Sequence, residues 1–184
     1  MKIDTCREVN YVPNAEKFLL KLDAAKVTYS IISSKNEIIK EVHNYTVKNQ
    51  DNRTITVTDE SDLTSLDWED VDVTAEYEPQ TLSTSVTFAY MGIEETGTLV
   101  ILSSPISSTG MNFLPDHHIV ILDIKNIVET MEDTWQVLRN SQCEMPRTIN
   151  LITGPSRTTD IERTIETGAP GAKYLHVILI QSEK

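Results

Sequence analysis

The chain has 184 residues, 39% hydrophobic and 24% charged, the balance of an ordinary globular protein long enough to bury a sizeable core. Its net charge of -12 argues against nucleic acid, which binds clustered Lys and Arg that displace counterions, and against an anionic membrane surface. A metabolite or a protein is the expected partner.

Cys6 and Cys143 are the only cysteines. There is no CxxC and no Cys/His spacing for zinc or an iron–sulfur cluster, so neither a metal nor a resident cofactor is expected. The first residues, MKIDTCREVNYVPNAEKF, lack the apolar core of a signal peptide. No run reaches the roughly 18 apolar residues of a membrane span, and a cytoplasmic location is expected.

In chain order, Pro13 suits the first turn of a helix whose apolar stripe is Phe18, Leu19 and Leu22. VTYSII reads as a strand. SSKNEIIKEVHNY reads as a helix capped by Ser33 or Ser34, with Ile38, Ile39 and Val42 inward. TITVTD alternates like a short strand. The acid-rich stretch from Asp59 to Glu78 reads as solvated loop with one short element near Trp68. STSVTFAYMGIEETGTLVILSS holds two β-rich runs joined by Glu-Glu-Thr-Gly, the pattern of a hairpin. HHIVILDI is a continuous apolar run, as in a strand buried on both faces. Val128, Met131, Trp135 and Leu138 fall at helical spacing. TINLIT reads as another buried strand, TDIERTIET as a short helix, and YLHVILI as a last strand. Trp68, Trp135 and the methionines read as core filling. The alternation predicts an α/β fold: a largely parallel sheet flanked by helices, with one antiparallel hairpin, in a single domain over 1–184.

Three stretches carry candidate chemistry. The first is Thr153-Gly154-Pro155-Ser156-Arg157-Thr158, expected beyond the carboxyl end of a strand, where such sheets bind ligands. It offers a close-approach glycine, hydroxyls at Thr153, Ser156 and Thr158, and the planar fork of Arg157, which suits carboxylate or phosphate. Against this, Thr159 and Glu162 form a capping-box pattern and Asp160 lies in the same turn, so a plain strand-to-helix joint also explains the glycine and the cap. The second is Glu94-Glu95-Thr96-Gly97-Thr98. Adjacent residues on a strand point to opposite faces, so one carboxylate can face a cleft as base or nucleophile; an exposed turn is the plainer reading. The third is His117-His118, a poor metal pair because the two side chains diverge, with His118 as the inward one. His176 reads as a core or sheet-face histidine.

Taken together, VTFAYMGIEETGTLVILSS, LPDHHIVIL and INLITGPSRTTDIERTIETGAPGAKYLHVILI closely resemble the LUD domain family, in particular its lactate utilisation protein C (LutC/YkgG) branch. The resemblance runs over roughly Ser85 to Ile180. It implies a fold similar to the NagB/RpiA/CoA-transferase-like superfamily. It also implies a part in oxidising L-lactate to pyruvate beside iron–sulfur partner subunits, in which this chain carries no cluster. Superfamily transferases use a glutamate in a Glu-x-Gly setting as nucleophile, which singles out Glu95 by analogy. The resulting expectation is that Glu95, His118, Thr96, Gly97, Thr98 and the Thr153–Thr158 loop line one pocket for a small carboxylate or phosphate. The alternative is an autonomous isomerase or transferase acting on a sugar phosphate, CoA ester or folate-like substrate. A third reading is a ligand sensor or scaffold without chemistry. The sequence departs from the family where Gly-x-His-Gly-Pro becomes Gly168-Ala169-Pro170-Gly171-Ala172, with Pro170 in place of the histidine.

Overall fold

The computed structural model describes residues 15–49, 55–58, 63, 68, 72–74, 82–104, 109–141, 145–156 and 171–181. The α-helices described over their full length are α1 (Ala15–Ala24), α2 (Ile38–Lys48) and α3 (Met131–Asn140). The strands are β1 (Thr28–Ile32), β2 (Ile55–Val57), β3 (Val73–Thr74), β4 (Thr84–Phe88), β5 (Met91–Ile93), β6 (Thr98–Leu102), β7 (His117–Asp123), β8 (Ile127–Val128), β9 (Ile149–Ile152) and β10 (Tyr174–Ile180).

Six strands form a wholly parallel sheet in the order β1-β10-β7-β4-β2-β3. The apolar runs of β7 and β10 lie at its centre, Val120 opposite Val177 and Ile121 opposite Ile178. Because side chains alternate, the two faces separate cleanly. Ile119, Ile121, Ile178 and Ile180 meet Ile38 and Val42 of α2. Val120, Leu122, Val177 and Leu179 meet Phe18 and Leu22 of α1, together with Leu99, Ile101 and Ile152 of a second sheet. Phe18 and Leu22 are fully buried, and each stabilises the α1 contact by about 1.5–3 kcal/mol.

The second sheet is four-stranded, in the order β8-β5-β6-β9. β5 and β6 are the expected antiparallel hairpin, and β9 runs antiparallel to β6. Its outer face, with Met91, Ile93 and Val100, is covered by Val137 and Leu138 of α3. The molecule is thus α2, large sheet, α1 with small sheet, and α3, an α/β fold with a mostly parallel sheet flanked by helices.

Three local expectations change. Met145, expected as core filling, is 63% exposed. Val128 is in β8 rather than the helix, because Thr130 and Asp133 close a capping box that starts α3 at Met131. TINLIT is not buried on both faces: β9 is the edge of the small sheet, and Leu151 is 41% exposed. Four apolar residues in a row cannot by themselves distinguish a central strand from an edge. Pro13, both cysteines, most of 59–78 and the expected helix TDIERTIET lie outside the described residues. Among the described residues no helix is long and apolar enough to cross a membrane.

Candidate functional site

The hairpin turn spans 94–97. Gly97 closes it at φ 70°, in the left-handed region that favours glycine. A Cβ there would stand 2.7 Å from Lys21 Cβ, so the turn is pressed onto α1. The alternation of the two carboxylates is realised with Glu94 inward: it is 3% exposed, and its Oε1 stands 3.3 Å from Lys17 Nζ of α1. Glu95 is the exposed member. The backbone N–H groups of Glu94 and Glu95 donate to the carbonyls of Val128 and Glu129 at 2.8 and 3.0 Å, so the turn is held from both sides.

The β6–β9 register sets Leu99 opposite Ile152, which carries Thr98 to Thr153. Their hydroxyls are 2.8 Å apart, and Thr96 extends the chain with its own hydroxyl 2.6 Å from that of Thr98. The two motifs therefore meet. Beyond Thr153, Gly154 passes Ala25 so closely that a Cβ would lie 3.3 Å from Ala25 Cβ. Pro155 follows, and Ser156 N–H donates to Ala172 carbonyl at 2.8 Å. Gly171 N–H in turn donates to Phe113 carbonyl at 2.9 Å.

These contacts correct the expected location of the loop. Ala25 precedes β1, Ala172 precedes β10 and Phe113 precedes β7. Residues 153–156 thus lie by the amino ends of the parallel strands, since β9 belongs to the other sheet and delivers its end there. Arg157, Thr158, the capping-box residues Thr159, Asp160 and Glu162, and Pro170 lie outside the described residues.

His118 is fully buried on the α1 side of β7. Its Nε2 shares a 2.8 Å hydrogen bond with Thr87 Oγ1, while among the described residues no group bonds its Nδ1. Asn112 Oδ1 is likewise buried without a partner among the described residues, and nearby Ser85 Oγ donates to Met111 carbonyl at 2.7 Å. Burial pushes the His118 imidazole down to about 3, because a charge there loses its hydration. No contact among the described residues joins His118 to Glu95.

A second polar group went unrecognised in the sequence. On the α2 face, His176 Nδ1 lies 2.9 Å from Thr28 Oγ1 and its Nε2 lies 3.3 Å from Ser30 Oγ. Tyr45 of α2 stacks on His176, with centroids 4.6 Å apart, and its hydroxyl is 3.0 Å from His117 Nδ1. His117 stacks on Tyr174 at 4.7 Å. Burial, with the Lys48 charge adding to it, pushes His176 down to about 4. The available signal was spacing: Thr28 and Ser30, and Tyr174 and His176, are each two apart and so share a face. Among the described residues no three His, Cys, Asp or Glu side chains gather as metal ligands.

The LUD domain model matches residues 20–180. The chain is 32% identical over 92 residues to an uncharacterised protein of Neisseria meningitidis serogroup B, covering 50% of this chain and 40% of that protein. It is 32% identical over 98 residues to lactate utilization protein C of Bacillus subtilis, covering 52% and 41%. The matched stretch thus spans about two fifths of the length of these relatives. The crystal structure of a DUF162 family protein from Deinococcus radiodurans superposes with a TM-score of 0.69 at 18% identity, covering 90% of this chain and 95% of that one. It shares the fold. With 161 consecutive positions matched from 20 to 180, the chain belongs to the LUD domain family.

Proposed function

We propose that the chain is a non-redox component of L-lactate utilisation, and that the Glu95–Thr98 turn and Thr153–Thr158 loop together bind a small carboxylate or phosphate. In this reading iron–sulfur partner subunits accept the two electrons released as lactate becomes pyruvate. Thr96, Thr98 and Thr153 orient the anion and Arg157 supplies the charge. The names of the Bacillus relatives support the pathway. The observation that carries the site is the 2.8 Å hydroxyl contact between Thr98 and Thr153, which joins two motifs far apart in sequence and leaves hydroxyl oxygens at an open edge, Thr153 being exposed.

The test is co-purification of the chain with iron–sulfur subunits of a lactate-oxidising system, with lactate oxidation assayed for wild type and Arg157→Ala. Association with activity lost in the variant supports the reading; no association, or activity unaffected by the variant, removes it.

The second reading is an autonomous transferase with Glu95 as nucleophile. It is favoured by the exposure of Glu95 next to the threonine hydroxyls. Mass spectrometry after incubation with an acyl-CoA decides it: a thioester mass on the peptide holding Glu95, absent in Glu95→Gln, is its expected result, and an unmodified peptide excludes it.

A further inference from the structure

A cleft of about 590 Å³ opens at the amino ends of β1 and β10, between the last turn of α1, the last turn of α2 and the start of β10. This is within the size range of small-molecule sites. Tyr45, Tyr174 and His176 line it, with Lys26, Lys48 and Lys173. We propose that it binds a planar-ring anion of mononucleotide size, the ring stacked on Tyr174 and the charged group held by Lys26 and Lys48.

Three observations point there. Tyr174 is 55% exposed while its ring stacks on His117, the planes 18° apart. A ring already held by a stack can accept another planar group without losing rotamer freedom, as stacking platforms for bases do. Behind it, Tyr45 is fixed by His117 and His176, and both nitrogens of His176 are engaged by Thr28 and Ser30. The wall is pre-organised.

Charge is the second. In a protein of net charge -12, Lys26 and Lys48 line this cleft beside Asp23 and Glu41, and Lys173 is paired with Asp116 at 2.8 Å, so the carboxylates here are balanced. A cleft without the surplus negative charge carried by the rest of the surface admits an anion that the rest repels.

Backbone strain is the third. Lys26 stands at φ 59°, and among the described residues it is the one non-glycine at positive φ. Its N–H donates to Asp23 carbonyl and that of Val27 to Leu22 carbonyl, the helix-ending pattern whose left-handed position is usually glycine. A lysine held in that conformation costs stability, and such outliers gather at ligand sites. Lys26 lines the cleft, which gives the strain a use.

Isothermal titration of the whole chain with AMP and nicotinate, against adenosine, nicotinamide and inorganic phosphate, tests the proposal. At least one ring anion is expected to bind tenfold or more tightly than its uncharged counterpart and than phosphate. Tyr174→Ala and Lys26→Gly should each weaken it about tenfold, while Met145→Ala, exposed and outside the cleft, leaves it unchanged. Lys26→Gly should also raise Tm by about 2–4 °C, since glycine takes that conformation freely, so its weaker binding cannot be ascribed to unfolding. Failure of both ring anions to bind, or binding retained in both cleft variants, overturns the proposal.

Discussion

Thr98 and Thr153 place their hydroxyls 2.8 Å apart across 55 residues of chain. Thr98 is 3% exposed, Thr153 is exposed, and so the pair runs from the interior to the surface. A double-mutant cycle of Thr98→Val and Thr153→Val, followed by urea denaturation, should give a coupling of about 0.5–1.5 kcal/mol, the net worth of a neutral hydrogen bond. The Thr98 change should be the costlier single variant, because it strips the hydroxyl shared by both neighbours.

Gly97→Ala should destabilise the protein by about 1–3 kcal/mol, through the positive φ and the 2.7 Å approach to Lys21 Cβ. Gly154→Ala meets Ala25 Cβ at 3.3 Å, a distance a small shift relieves, and should cost clearly less. Denaturation midpoints of the two variants, compared at unchanged m, check the order.

Acid should weaken the fold through two histidines. His118 titrates at about 3 and His176 at about 4 when folded, against 6.5 for the free side chain. The unfolded chain therefore takes up protons first. The neutral forms contribute stability in full above pH 6.5, and it is lost as pH falls toward 4 for His176 and 3 for His118, at up to about 1.4 kcal/mol per pH unit for each. Between pH 7 and pH 5 the His118 share is about 2 kcal/mol. His118→Gln should remove that share of the pH dependence, measured as the difference between denaturation free energies at the two pH values, whatever its effect on stability at pH 7.

The sequence made the layers legible where periodicity was strong. Val120, Leu122, Val177 and Leu179 behave as their continuous apolar runs require, and Phe18 and Leu22 as their stripe requires. The turn at Gly97 followed from turn chemistry. What the sequence concealed was long-range. Nothing local to INLI reveals that β9 pairs with β6 rather than joining the large sheet, and that pairing is what brings the Thr153 loop to the amino ends of β1 and β10. The adjacent carboxylates were known to diverge, but the inward one, Glu94, is set by Lys17 on a helix seventy-seven positions earlier. The Tyr45–His176–His117–Tyr174 cluster comes from three segments, and nothing local to His117 or His176 joins them.

The most direct measurement is thermal unfolding of the chain with L-lactate, pyruvate and phosphate, for wild type, Thr153→Val and Arg157→Ala. At 100 times its dissociation constant a ligand of the native state adds about 2.7 kcal/mol, a rise in Tm of roughly 5–10 °C for a chain of this size. The account predicts such a rise with at least one of the three anions, reduced in Thr153→Val and abolished in Arg157→Ala. No rise with any of them, or a rise that both variants keep in full, contradicts an anion site where the two motifs meet.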